Sequence, residues 1–357
     1  MFPNNYCLSL KALNKKEIVH HADDEIMISS HFNSVNVVSA NINVSFKLPL
    51  PFYLYLIGLF RLFRRVLRLD KSSIALSQDR TSLVITYGGY VYSYCLKLGE
   101  LHRTLKLEQC RTVLHMSIAS LSPKTFILGE YGRNKERAEV PIYISQDGGK
   151  TWNVPFTFPA NSIRHIHGIY HDRFTGHIWV PTGDFEGECY IYEFEDITLS
   201  NPVVHGDGSQ VWRTVSVFFS EKTVVWAMDS ELETSHLVIM DRGSGKISKG
   251  RVFPGPIWYI KSLMDGWHLL QTTVENGEGV VSKNVHIYIS NDLENWQEIA
   301  VLPHDGLPLR YFKNAVVAFA NGAQSSQKFY LSAEAIKGMD GKSFECKLNN
   351  SEKNLND

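Results

Sequence analysis

The sequence predicts an all-β fold: a six- or seven-bladed β-propeller with four-stranded antiparallel blades and one inserted amphipathic helix. Two observations carry this prediction. From Ser73 onward, short runs rich in Val, Ile, Tyr, Phe and Thr alternate with Gly, Asp, Asn and Pro, and no long segment shows a period of 3.6. One strand type then recurs, as VYSY at 91, IYIS at 142, IYEF at 191, LVIM at 237, IYIS at 287 and FYLS at 329, at intervals of 51, 49, 46, 50 and 42 residues. A period of ~40 to 50 residues built from strands alone is that of propeller blades.

Taken in order, residues 1–48 contain the strand-like EIMISS and VNVVSANINVSF, enough for an extra blade or for strands that close the ring. Residues 49–70 predict the inserted helix. The uncharged stretch from 48 to 60 is 13 residues, short of the ~20 needed to span a bilayer. If the stretch from Phe52 is helical, Arg61, Arg64, Arg65 and Arg68 fall on one stripe beside Leu, Phe and Val. Such a helix either lies in the interface of an anionic membrane or packs on its own domain. Residues 71–348 form the propeller proper, and 349–357 read as a disordered tail.

Composition sets bounds on function. With 44% hydrophobic and 20% charged residues in 357, the chain can bury a core, which excludes disorder. A net charge of -1 offers no global field for nucleic acid. The five cysteines are scattered without a CxxC pair, so neither a disulfide framework nor a zinc knuckle is legible. The N-terminal residues lack the basic start and apolar run of a signal peptide, and cytoplasmic placement is the expectation, with the inner-membrane surface as a peripheral alternative. No P-loop, dinucleotide fingerprint or nucleophile elbow is present; GSGK at 243–246 lacks the flanking residues of a phosphate loop. No cofactor and no metal are expected.

Two repeats carry a sharper mark. Ser145-Gln146-Asp147-Gly148-Gly149-Lys150-Thr151-Trp152 fits S-x-D-x-G-x-T-W, and Ser290 to Trp296 is a degraded copy 145 residues on. The carboxylate can accept backbone N–H bonds across the turn, Gly permits positive φ, and Trp packs between strands. This motif resembles the Asp box (BNR repeat) of the sialidase-like propeller superfamily, over residues 73 to 348. The run from GEYG at 129 through IRHIHGIYHD to TGDFEGEC further resembles bacterial BNR-repeat proteins. The resemblance implies a turn between the third and outermost strands, and an arginine triad for a sugar carboxylate, for which Arg164, Arg213 and Arg310 are positioned. It also implies a catalytic Tyr, for which Tyr131, Tyr259 and Tyr311 stand as candidates. No Arg-Ile-Pro stands near the first strand, where sialidases place their first arginine.

The repeat phase assigns loops to faces. Fourth-to-first connections read CRTVLH (110–115), SIRHIH (162–167), VWRTVS (211–216), IWYIKS (257–262) and LRYFKN (309–314). They would gather Arg111, Arg164, Arg213 and Arg310 at one end of the propeller, with Trp212, Trp258, Tyr259 and Tyr311 as flat faces for sugar rings. Guanidinium groups bind carboxylate, sulfate or phosphate bidentately, so an anionic glycan or polysaccharide is the expected ligand.

The second-to-third loops on the same rim supply Glu130, Asp184, Asp229 and Glu275, of which a facing pair would be what glycosidic cleavage requires. His165 and His167 point the same way on a strand, and a catalytic His165, hydrogen-bonded structural histidines, or a metal pair needing Glu130 or Asp184 as third ligand would fit, the last being the least favoured. The leading expectation is therefore a glycoside hydrolase acting on an anionic polysaccharide, with Glu130, Asp184, Asp229, Glu275, His165 and Tyr131 as catalytic candidates. A non-catalytic glycan-binding or assembly propeller is the alternative. A lyase, in which an arginine neutralises a uronate and His165 or a Tyr takes the C5 proton, is the third.

Overall fold

The computed structural model describes residues 6–14, 17–115, 117–312 and 314–350. The chain forms a seven-bladed β-propeller of antiparallel, mostly four-stranded sheets, settling the choice between six and seven blades. By contacts it divides into two compact units: residues 1–70 with 229–240 and 245–357, and residues 71–228 with 241–244.

In the first unit, Ile18–Ala22, Ile26–His31, Ser34–Ser39 and Asn43–Lys47 make a complete blade, and Ile257–Ser262, His268–Thr272, Asn284–Ser290 and Gln297–Pro303 make another. A third is assembled from both ends of the sequence. Val316–Phe319, Phe329–Glu334 and Lys342–Asn350 are joined on the outside by Tyr6–Ala12, which pairs Tyr6 with Asn350 through Ala12 with Phe344. Residues 1–48 thus supply both an extra blade and a closing strand. FYLS at 329 is accordingly the second strand of its blade rather than the third, and ANGAQ at 320–324 a first-to-second loop.

The second unit holds three sheets and the first two strands of a fourth, whose other two strands lie mostly in the first unit. Ser72–Leu76, Ser82–Tyr87, Tyr90–Cys95 and Glu100–Lys106 form one blade, and Ile118–Ser122, Thr125–Gly129, Val140–Ser145 and Asn153–Phe158 the next. The following blade has a broken inner strand: His165–Ile166 and Tyr170–His171 both pair with Ile178–Gly183, followed by Cys189–Phe194 and Val203–Gly208. The seventh sheet runs Val217–Phe219, Thr223–Ala227, Ser235–Asp241 and Ile247–Phe253.

Period-2 alternation explains the cores. Ile127, Val140, Ile142, Ile144, Phe158, Ile163, Ile166, Val180 and Phe194 pack in one cluster at or near zero exposure. The turn at Asp147 is structural, as its chemistry requires. Asp147 Oδ1 accepts from the backbone N–H of Lys150 at 2.9 Å and Thr151 at 3.0 Å, and from Ser145 Oγ, while Oδ2 accepts from Thr151 Oγ1 at 2.7 Å. Gly149 sits at φ 85°, and a Cβ there would meet Val84 Cγ2 at 2.5 Å, so glycine is required twice over. In the degraded copy Leu293 occupies the left-handed position at φ 65°, and Asp292 still accepts from Glu294 and Asn295.

The inserted segment differs from the single helix expected. It forms two short helices, α1 (Phe52–Ile57) and α2 (Arg61–Leu67), with a third, α3 (Leu309–Phe312), elsewhere in the same unit. The break falls at Gly58, where a Cβ would collide with the Phe32 ring at 2.2 Å. None of the helices is long and apolar enough to cross a membrane. Of the expected 349–357 tail, Asn349 and Asn350 instead end the strand Lys342–Asn350, paired with Cys7 and Tyr6, and 351–357 lie outside the described residues.

Candidate functional site

A buried polar cluster lies in the second unit, where a strand end, a broken strand and two loops converge. Asp184 follows directly on the strand Ile178–Gly183, whose Gly183 is opposite His165. Gly183 has φ 154°, and a Cβ there would sit 3.2 Å from Cys189 Sγ, 3.3 Å from His167 Cε1 and 3.4 Å from Arg213 Cγ. The missing side chain lets the imidazole and the guanidinium pack beside the carboxylate.

His165 and His167 do turn to the same side. His165 Nδ1 lies 2.6 Å from Gly132 O and His167 Nδ1 lies 3.0 Å from Thr214 O, so each Nδ1–H donates to a carbonyl. That leaves both Nε2 atoms facing inward, 3.0 Å from each other and 3.2 Å (His165) and 2.9 Å (His167) from Asp184 Oδ1. Three lone-pair atoms cannot meet in this way without a positive species among them: a proton on one Nε2, or a cation. These three residues could hold a metal ion, their ligand atoms lying within 4.8 Å of one another.

Asp184 is the hub. Burial would raise its pKa, but the hydrogen bonds and charge of His165 and His167 hold it well below the usual carboxylate range. Oδ2 accepts from Arg164 Nη1 at 2.6 Å, and Arg213 Nη2 stands 3.4 Å from Oδ1. Burial pushes the His167 imidazole down. Gln210, on a one-turn 3-10 helix (Gln210–Trp212), donates to Asp184 O at 2.9 Å and faces Arg213 Nη1 with its carbonyl. Tyr131 is half-buried over His165, ring centroids 4.1 Å apart.

Above this cluster lies a platform. Phe185, next to Asp184, is 44% exposed and two guanidinium groups approach its ring, Arg164 at 5.3 Å and Arg137 at 5.6 Å from its centroid. Arg137 is held by an ion pair with Glu188 and by donation to Asn134 O, and Asn134 Nδ2 in turn donates to Arg164 O at 3.0 Å. Arg133 and Lys135 are exposed in the same loop.

Other residues singled out from the sequence fall elsewhere. Glu130 is fully buried and both oxygens are occupied: Oε1 accepts from Glu108 N at 3.0 Å and Tyr143 Oη at 2.9 Å, Oε2 from Gln109 N at 2.6 Å and Cys110 N at 3.2 Å. Asp229, buried, and Glu275, half-buried, belong to the first unit. Trp212 is buried against Trp226, centroids 5.1 Å apart. IWYIKS at 257–262 is itself a strand, not a connection, so Trp258 and Tyr259 lie within a blade, with Tyr259 buried. Arg111 is exposed in the 110–115 loop. Arg310 and Tyr311 are exposed on α3, the guanidinium 5.6 Å from the ring. Arg137 and Phe185 escaped sequence reading, since GEYGRNKERAE and TGDFEGEC drew notice for their acids and not for an aromatic ring near cations; Gln210 carried no signal of its own.

No protein-family model and no curated protein sequence matches this chain. Solved structures match in fold. An oligogalacturonate lyase from Vibrio parahaemolyticus superposes with a TM-score of 0.59 at 7% identity, covering 96% of this chain and 98% of the other. The structure of U3-55K gives 0.55 at 8% identity over 96% and 98%. A chain of the mitotic checkpoint complex gives 0.54 at 9% identity over 98% and 95%. Fold and comparisons together define a seven-bladed propeller protein. At such identities the likeness is one of architecture, which hosts enzymes and binding modules alike.

Proposed function

We propose that the protein binds an acidic, uronate-containing polysaccharide on the Phe185 platform and processes it by elimination at the histidine cluster beneath. The observation that carries the reading is the exposed Phe185 ring, with the Arg137 and Arg164 guanidinium groups 5.6 and 5.3 Å from its centroid, next in the chain to the Asp184 that His165 and His167 contact. A sugar ring stacks on an aromatic face, and a uronate carboxylate would share the Arg137 and Arg164 guanidinium groups with Glu188 and Asp184. The fold shared with an oligogalacturonate lyase supports this substrate class.

Hydrolysis, the leading expectation from sequence, is the less favoured chemistry. Glycosidic hydrolysis needs one protonated carboxyl group. Asp184 is held ionised, and the lone pairs of Glu130 are occupied by four donors. Elimination needs a base and an anion clamp instead. The C5 proton passes to a neutral His165 Nε2 turned away from Asp184 Oδ1, the C5 electron pair forms the C4=C5 bond, the C4–O bond breaks, and the leaving oxygen takes a proton from water. Tyr131 covers His165, so substrate reaches Nε2 only with that ring displaced.

Titration calorimetry with galacturonate oligomers, against neutral glucan oligomers, tests the binding. Phe185→Ala and Arg137→Ala should each weaken uronate binding by roughly 1 to 3 kcal/mol. An ultraviolet-absorbing unsaturated product marks elimination, and new reducing ends without absorbance mark hydrolysis. A folded wild type that binds no acidic oligomer refutes the reading.

A further inference from the structure

The inserted helices present their apolar side to solvent and their arginines to the protein. No residue of α1 is buried, and the buried residues of α2 are Arg64 and Arg65. Arg64 Nε pairs with Asp70 at 3.0 Å, and its Nη1 donates to Gly58 O at 3.0 Å. Arg65 pairs with Asp305 at 2.6 Å and donates to Phe312 O at 3.0 Å. Arg61 bridges Asp70 and Asp340. The cations that a surface helix would show to water are thus consumed by three aspartates.

What remains outside is hydrophobic. Phe52, Tyr53, Leu59, Phe60, Leu62 and Phe63 are between 49% and 74% exposed, and four further large apolar side chains bring the total to ten among the sixteen residues from Phe52 to Leu67. Patches this dense mark interaction sites rather than ordinary surface.

We infer that this face docks the protein on an anionic lipid bilayer. Charge selects that partner. From Ile26 to Leu69, 44 residues contain no Asp or Glu, while Lys47 and Arg68, exposed beside α1 and at the end of α2, supply cations where lipid headgroups would lie. The composition fits the same environment. Phe and Leu suit the acyl boundary, and Tyr53 offers an amphipathic ring of the kind enriched at the membrane interface. Helices of six and seven residues can only lie in that interface, which makes the contact peripheral. The inference is independent of the glycan reading.

Flotation of the full chain with phosphatidylcholine vesicles, with and without phosphatidylglycerol, tests it. Wild type should float with the anionic vesicles and be released by high salt. Phe52→Ser combined with Phe60→Ser, both at exposed positions, should reduce vesicle-bound protein at least tenfold with an unchanged circular dichroism spectrum. Lys47→Glu with Arg68→Glu should abolish the preference for anionic lipid. Wild type that stays with the soluble fraction in both mixtures overturns the inference. So does sedimentation as a dimer that Phe52→Ser and Phe60→Ser dissociate, since the face would then meet a second copy.

Discussion

Replacing Glu130 by Gln separates a structural carboxylate from a catalytic one. Glu130 accepts three backbone N–H groups and the Tyr143 hydroxyl. Burial and the charge of Glu130 push that phenol's pKa up, so it stays protonated and donates. In the Glu130→Gln variant the amide oxygen best replaces Oε2, the atom that serves Gln109 and Cys110, which leaves the NH2 group facing Glu108 N and Tyr143 Oη. The hydroxyl can rotate to accept, but the Glu108 N–H is orphaned, at about 1 to 3 kcal/mol, and the remaining bonds lose their charge assistance. The sum is about 3 kcal/mol. For a chain of this length, an unfolding entropy of about 0.75 kcal/mol/K converts that loss to about 4 °C in Tm. Differential scanning calorimetry measures the shift, and calorimetric titration with galacturonate oligomers measures binding on the same sample. A Tm within about 1 °C of wild type together with lost turnover would refute the structural assignment and return Glu130 to the chemistry.

Three further outcomes are expected. Asp147→Ala removes an acceptor of four hydrogen bonds on an exposed turn and should destabilise by about 2 kcal/mol in urea unfolding, with glycan binding unchanged. Gly183→Ala forces a Cβ against His167 and Arg213 at 3.3 and 3.4 Å; it should cost about 1 to 3 kcal/mol and weaken uronate binding, read by the same two assays. Lys261, buried and donating to Ala320 O and Gly322 O, has its pKa lowered to about 8 by burial, against ~10.4 unfolded. Below about pH 8 both states hold the proton and this lysine adds no slope. Between about pH 8 and about 10 the unfolded state binds more protons, so stability rises with pH, by at most about 3 kcal/mol. Lys261→Met should remove that rise, measured as the difference between the two unfolding curves across the window.

The strand repeat was readable because each third strand keeps its alternation locally. It slipped at FYLS, where the interval shortens to 42. There the outer strand comes from Tyr6–Ala12, so the C-terminal blade holds only three of its own. The helix stripe was readable as amphipathic, but not which side faces the protein. The partners that draw the arginines in, Asp305 and Asp340, lie 240 and 279 residues away from Arg65 and Arg61. His165 and His167 share a side by strand periodicity alone, whereas the approach of Asp184 depends on a bare Gly183 and a carbonyl from Gly132. A ring approached by two cations has no linear signature, because Arg137, Arg164 and Phe185 come from three separate loops.

The pairing of Tyr6–Ala12 with Lys342–Asn350 orders events during synthesis. At ribosomal rates of about 5 to 20 residues per second, roughly 17 to 70 s separate the emergence of these partners. Throughout that wait Tyr6–Ala12 lacks this mate, and its unsatisfied edge is open to other nascent chains. A substitution that weakens this pairing would therefore prolong the exposure of that edge.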